Sequence, residues 1–181
     1  VTDSYSYSNL LSTEPNTGGL AGYNHTIGLI ERSWTGRGVQ VTGTYSVGGL
    51  AGINWGTIEQ SYSLAAEAKA TVSRAGGLVG YNRNLGTVTE TYSMTAVTAP
   101  AHRGGLIGDH ESGGEVLRSF WDIEGSGVLS SPGGPGVIGR PSTGQMFEQA
   151  SYEPHGWDFT AVWQIDEGND TPELRSNPRP H

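Results

Sequence analysis

A glycine-rich segment returns four times along this chain, and its spacing narrows the available folds more than any other feature. The copies are Gly18-Gly19-Leu20-Ala21-Gly22-Tyr23-Asn24, Gly48-Gly49-Leu50-Ala51-Gly52-Ile53-Asn54, Gly76-Gly77-Leu78-Val79-Gly80-Tyr81-Asn82 and a divergent Gly104-Gly105-Leu106-Ile107-Gly108-Asp109-His110. Their first glycines lie 30, 28 and 28 residues apart, a period typical of stacked repeat architectures. Glycine supplies 29 of the 181 residues, far above the usual ~7%. Because these glycines recur at fixed positions, they mark turns and close backbone approach rather than a disordered, low-complexity tract.

Three short segments of strand character follow one another in each unit. The first is the glycine segment itself. The second opens at Ile30, Ile58, Val88 or Val116 and ends on a small hydroxyl residue plus an aromatic: Ser33-Trp34, Ser61-Tyr62, Thr91-Tyr92, Ser119-Phe120. The third is Val39-Gln40-Val41, Ala68 to Val72, or Thr95-Ala96-Val97. Short β-branched and aromatic runs punctuated by Gly, Asn and Ser read as strands and turns, and no sustained 3.6-residue apolar period suggests a helix before residue 140. One such unit cannot bury its own apolar face, but stacked units can. The expected fold is therefore all-β: a β-solenoid of about four coils over residues 1–122, preferably a right-handed β-helix. A β-propeller is the alternative, although its blades need four strands and about 40 residues.

Beyond Phe120 the repeat stops. Residues 126–139 are rich in Gly, Ser and Pro and read as a loop. Ser142, with Gln145 three residues on, has the form of a capping box opening one short helix. Trp121, Trp157 and Trp163 follow the last glycine segment, so residues 123–175 are expected to form a C-terminal cap that plugs the open solenoid end. Residues 176–181 are expected to be a flexible tail. The opening run Thr2-Asp3-Ser4-Tyr5-Ser6 matches the tail of later units, which suggests a larger parent chain with further repeats upstream.

With ten Lys and Arg against 18 Asp and Glu, the net charge is −8. That balance offers no footprint for nucleic acid or anionic lipid and disfavours sulfated or uronate polymers. No cysteine is present, which excludes disulfides and thiolate chemistry. No apolar run approaches the ~18 residues of a membrane span, so no membrane insertion is expected. The five histidines show no zinc spacing, and no GxSxG or phosphate loop occurs. The expectation is accordingly not an enzyme, although carboxylate-pair polysaccharide cleavage leaves no sequence signature.

The repeated G-G-L-x-G-x-N, followed by an apolar residue and Ser-Tyr, resembles the GLUG repeat of bacterial extracellular proteins. Phe120-Trp121-Asp122, Gln145-Met146, Gly156-Trp157-Asp158-Phe159, Trp163 and Pro172-Glu173-Leu174 are similar to the segment that closes such arrays. The resemblance implies an extracellular or cell-surface setting, as in haemagglutinin-like adhesins and immunoglobulin A-directed peptidases, where the repeats lie outside the catalytic domain. The function it suggests is non-catalytic adhesion. A carbohydrate-binding module serving an attached polysaccharide-degrading enzyme is the alternative, with a polysaccharide or host or cell-surface glycan as partner.

Candidate ligand-binding residues are aromatic. Trp34, Tyr62 and Tyr92 recur one per unit, beside small residues that alternate to the other face. Facing in, they are core; facing out, they form a platform for apolar sugar faces. Tyr23, Trp55 and Tyr81 flank the asparagine row, and Trp55, between Asn54 and Gly56, is the residue expected to be most exposed. Asp109 and His110 depart from the repeat and are polar candidates. Asn24, Asn54 and Asn82 read as a structural ladder. Asp166, Asn169 and Asp170 have oxygen ligands at loop spacing and form a weak Ca²⁺ candidate; no other cofactor is implied.

Overall fold

In the computed structural model, which describes residues 1–180, the chain winds into a parallel β-solenoid of about four coils. Coil one contains β1 (Tyr5–Ser6), β2 (Leu10–Leu11), β3 (Asn16–Gly18), β4 (Ala21–Asn24) and β5 (Leu29–Glu31). Coil two repeats them as β6 (Trp34–Thr35), β7 (Gln40–Gly43), β8 (Ser46–Gly48), β9 (Ala51–Asn54) and β10 (Thr57–Glu59). Coil three holds β11 (Tyr62–Ser63), β12 (Glu67–Ala70), β13 (Arg74–Gly76), β14 (Val79–Asn82) and β15 (Thr87–Thr89). Coil four holds β16 (Tyr92–Ser93), β17 (Ala96–Thr98), β18 (Arg103–Gly104), β19 (Ile107–His110) and β20 (Glu115–Leu117). Equivalent strands stack in parallel, in register, into five sheets.

Each coil thus has five strands rather than the three expected. The additional ones are two- and four-residue pieces split from longer runs, plus segments such as Ser46–Gly48 that end on glycine and carry no apolar periodicity.

Side-chain rows fill the interior. Leu50, Leu78 and Leu106 stack with Ile58, Val88 and Val116 in one buried cluster, and Val41, Val47, Ala68, Ala75 and Val97 form another. The paired glycines make this close stacking feasible. A Cβ on Gly77 would collide with the carbonyl oxygen of Gly105 and with Ser93 Oγ, and the same pairing recurs between Gly49 and Ser63. None of the glycine pairs has positive φ, so close approach, not turn geometry, demands glycine there. The left-handed corners are instead held by Arg32, Gln60, Glu90 and Arg118 (φ 45°, 46°, 52° and 48°). Beside three of them the hydroxyls of Ser33, Ser61 and Ser119 donate to the carbonyls of Glu31, Glu59 and Leu117 at 2.7–2.8 Å, tying those corners.

The last coil ends on β21 (Ser119–Asp122) and β22 (Val137–Arg140), which pairs with it. Trp121 occupies the interior position held by Thr35, Ser63 and Ser93 in earlier coils and packs against Leu106 and Ile107. Trp121 thus plugs the end, with Ile123 and Val137 packed against the same cluster. The rest of the cap lies elsewhere than expected: residues 143–180 cover the flank of the solenoid, with Met146, Tyr152, Trp157, Trp163 and Leu174 packed on Trp34, Tyr62, Tyr92 and Phe120.

The helix opening after Ser142 is a 3-10 turn, Thr143–Phe147, in which Ser142 N–H donates to Gln145 Oε1 at 3.4 Å. Two further 3-10 turns follow before an antiparallel pair, β23 (Trp163–Gln164) with β24 (Glu173–Leu174). One α-turn, Ile123–Ser126, went unanticipated. The tail is a correction as well. Asn177 is buried, its carbonyl accepts from Trp34 Nε1 at 3.0 Å, and Arg179 donates to Thr171 O at 2.9 Å. Residues 176–180 are thus docked rather than flexible; His181 lies outside the described residues.

Candidate functional site

The sheet formed by β4, β9, β14 and β19 carries two rows because strand side chains alternate. Asn24, Asn54, Asn82 and His110 stack inward; Tyr23, Ile53, Tyr81 and Asp109 stack outward. Inside, Asn24 Nδ2 donates to Asn54 Oδ1 at 2.7 Å, Asn54 Nδ2 to Asn82 Oδ1 at 2.8 Å, and Asn82 Nδ2 meets His110 Nδ1 at 3.2 Å. The same amides also donate to turn carbonyls, Asn82 to Gly86 O at 2.8 Å. This ladder fixes the turn after each strand. His25, Trp55, Arg83 and Glu111 therefore come side by side, each backbone N–H of the last three bonded to the preceding coil's ladder carbonyl at 2.8–3.0 Å.

These turn residues and the outward row make one continuous surface. Tyr23 and Trp55 are 5.6 Å apart at 57°, with His25 5.8 Å from Tyr23. Arg83 lies 5.0 and 5.1 Å from the ring centroids of Trp55 and Tyr81, and Arg74 lies 4.1 Å from that of Tyr81. Tyr81 Oη donates to Glu111 Oε1 at 2.8 Å, and Arg83 pairs with the same carboxylate at 3.4 Å. The Tyr81 hydroxyl bond holds the Glu111 carboxyl below its ordinary value. Burial, reinforced by that carboxylate, pushes the Tyr81 phenol up. One end of the surface is thus locked by charge, while Tyr23, 40% exposed, leaves the other end accessible. Ring faces stack on apolar sugar faces, and guanidinium and carboxylate groups at the edge supply donors and acceptors for hydroxyls.

Several expected site residues lie elsewhere. Trp34, Tyr62 and Tyr92 point outward from the solenoid and stack on one another (Trp34–Tyr62 5.7 Å at 2°, Tyr62–Tyr92 4.8 Å at 9°), but the cap seals them to zero exposure. They are a core between solenoid and cap, not a platform. Burial pushes the Tyr92 phenol up to about 12, and its hydroxyl is held by Thr171 Oγ1 at 3.1 Å. Trp55 is half-buried rather than the most exposed aromatic, because Arg83 lies over it.

Asp109 and His110 do not form a joint site either. Asp109 faces Arg74 at 3.7 Å on the surface, whereas His110 terminates the internal ladder. At the Ca²⁺ candidate the oxygens have partners within the protein: Asn169 Nδ2 donates to Asp166 Oδ1 at 3.1 Å, and Asp170 is paired with Arg37 and with Arg179 at 3.2 Å. Among the described residues no cluster of three or more His, Cys, Asp or Glu has metal-holding geometry. A cleft of about 230 Å³ opens beside this turn, lined by Tyr7, Arg37, Asp166, Asp170, Glu173 and Arg179; Asp170 pairs with both arginines and Glu173 with Arg179.

Of His25, Arg83, Arg74 and Glu111, the sequence draws attention only to Glu111, as the third member of an acid/base run with Asp109 and His110 that strand alternation argues against. Three of them follow the ladder residue directly at the repeat spacing, a signal available once the asparagines are read as a fixed row.

No family model matches the chain, and no curated protein does. Among solved structures it is similar to a candidate immunoglobulin A1 protease from Bacteroides ovatus, with a TM-score of 0.67 at 16% identity. The match covers 95% of this chain and 56% of that one. At this identity the likeness shows the fold, and the chain spans little more than half the length of that structure. Among the described residues no helix is long and apolar enough to cross a membrane.

Proposed function

We propose that this protein is a non-catalytic adhesion module of a secreted or cell-surface bacterial protein, and that it holds a glycan on the Tyr23–Trp55 face. One observation carries the reading. Of two aromatic rows, one is sealed beneath the cap, whereas the other remains at the surface with polar groups at its rim. A net charge of −8 favours a neutral glycan over a polyanion. The GLUG-like repeat supports the extracellular setting.

A second reading uses the same face to tether an attached enzyme to its polysaccharide substrate. The similarity to part of a longer chain named as a protease supports attachment to an enzyme, not the polysaccharide substrate. Both readings are tested by a glycan array with the purified protein and its Tyr23→Ala and Trp55→Ala variants. Binding to at least one glycan class, lost in both variants, is expected. A blank array, or binding that survives both changes, overturns the assignment.

A further inference from the structure

The candidate face has a direction built into it. Across one coil it is two side chains wide, Tyr23 with His25 in the first coil and Tyr81 with Arg83 in the third. Along the axis it runs through all four coils. Trp55, Arg83 and Glu111 each hang by a backbone N–H from the ladder carbonyl of the coil before, at 2.9, 2.8 and 3.0 Å. They repeat the position of His25 at the interval of a parallel strand pair, ~4.8 Å.

The chemistry changes along this row. In the first two coils the floor is made of rings: Tyr23 lies 5.8 Å from His25 and 5.6 Å from Trp55, and His25 lies 6.3 Å from Trp55. In the third and fourth it is made of ion pairs, Arg83 with Glu111 at 3.4 Å and Arg74 with Asp109 at 3.7 Å. Each arginine faces a carboxylate, so this half of the face has donors and acceptors without a net charge. Arg83 and Glu111 both stay more than a third exposed, and their free N–H groups and lone pairs suit the hydroxyls of a sugar ring.

Building on the glycan reading above, we infer that the ligand is a linear, extended, neutral glycan lying along the solenoid axis, one pyranose ring per coil. An equatorially 1,4-linked pyranose chain is straight and advances by close to one strand spacing per ring, so successive rings keep step with successive coils. The first ring lies against Tyr23 and His25, and the second on the part of Trp55 that Arg83 leaves open. The third accepts from Arg83 and the fourth donates to Glu111. A chain laid across the coils would pass only two side chains before leaving the face. A chain whose linkage makes it coil, such as a 1,3-β-glucan or a 1,4-α-glucan, departs from the row after the second ring.

The test is calorimetric titration with cello-, manno- and xylo-oligosaccharides of one to six rings, beside malto- and laminari-oligosaccharides as coiled comparisons. In at least one straight series, affinity is expected to climb about tenfold or more between two and four rings and then to level, while neither coiled series gains over that interval. Arg83→Gln and Glu111→Gln are read by the ratio of four-ring to two-ring affinity, which cancels any general change in the face; each is expected to cut that ratio to less than half. Affinity that is flat beyond two rings, an equal gain in a coiled series, or a ratio unchanged in both variants overturns the axial arrangement and leaves the glycan reading standing. No binding in any of these series, while the glycan array still yields a ligand, overturns the linear class in the same way. No binding in the series or on the array overturns both readings together.

Discussion

Replacing Asn54 by leucine tests how much of the stacking rests on the amide ladder. The two side chains are close in size, so little cavity is made, and the cost falls on polar groups left without partners. Asn54 is fully buried; it accepts from Asn24 and donates to Asn82 Oδ1 at 2.8 Å and to Thr87 O at 3.2 Å. Asn24 Nδ2 keeps Gly28 O and Thr57 O as acceptors, but Asn82 Oδ1 is stranded. One stranded buried acceptor costs about 1–3 kcal/mol, and the weakened Thr87 carbonyl brings the total to about 2–4 kcal/mol. The urea midpoint should fall by about 1–2 M.

The polarity of the ladder sharpens the test. His110→Leu removes only an acceptor from Asn82 Nδ2, which retains Gly86 O at 2.8 Å, so its cost should stay below about 1.5 kcal/mol. Asn54→Leu combined with Asn82→Leu removes both ends of the broken contact and should cost less than the sum of the single changes. Strict additivity, or an Asn54→Leu variant within about 0.5 kcal/mol of the parent, would refute the ladder as an energetic element.

Other consequences are as direct. Gly77→Ala puts a methyl group against Gly105 O and Ser93 Oγ and should lower the melting temperature severely, whereas Gly144→Ala, whose nearest neighbour is at 4.0 Å, should be near neutral in the same melts. Removing residues 143–180 uncovers Trp34, Tyr62, Tyr92 and Phe120 together, so the truncated chain should bind a hydrophobic dye and self-associate; a monomer that binds none would contradict the flank packing. Tyr92 is held neutral by burial, its folded pKa raised above the ordinary 10.0 to about 12. Its contribution, on the order of 3 kcal/mol, is therefore intact below pH 10 and lost as pH rises through 12, and Tyr92→Phe should shift the alkaline unfolding profile upward.

The stacking was legible because it is written at fixed intervals: four glycine segments, four hydroxyl–aromatic pairs and three asparagines. Less legible was anything depending on which object covers a row. Alternation correctly opposes Ser33, Ser61 and Thr91 to Trp34, Tyr62 and Tyr92, and leaves the aromatics on the outer face. Only the path of residues 143–180 decides that this face is sealed. The cap's 3-10 turns and two-residue strands have no period to read, and the docking of the tail rests on contacts such as Trp34 Nε1 to Asn177 O, separated by 143 residues. Half of the candidate face was visible in Tyr23, Trp55 and Tyr81; its charged half was not, because Arg83 and Glu111 vary across the repeat and acquire meaning only when consecutive turns stand together.

Trp55 also offers the most direct measurement. Of the five tryptophans it alone is not buried: Trp34, Trp121, Trp157 and Trp163 are each at most 6% exposed. Intrinsic fluorescence titrated with a glycan that binds the protein should therefore change through this one indole. The account predicts a saturable shift that disappears in Trp55→Phe and is weakened at least tenfold by Tyr23→Ala, with melting temperatures unchanged. A shift of equal size and midpoint in Trp55→Phe would place the ligand elsewhere and contradict the assignment of this face.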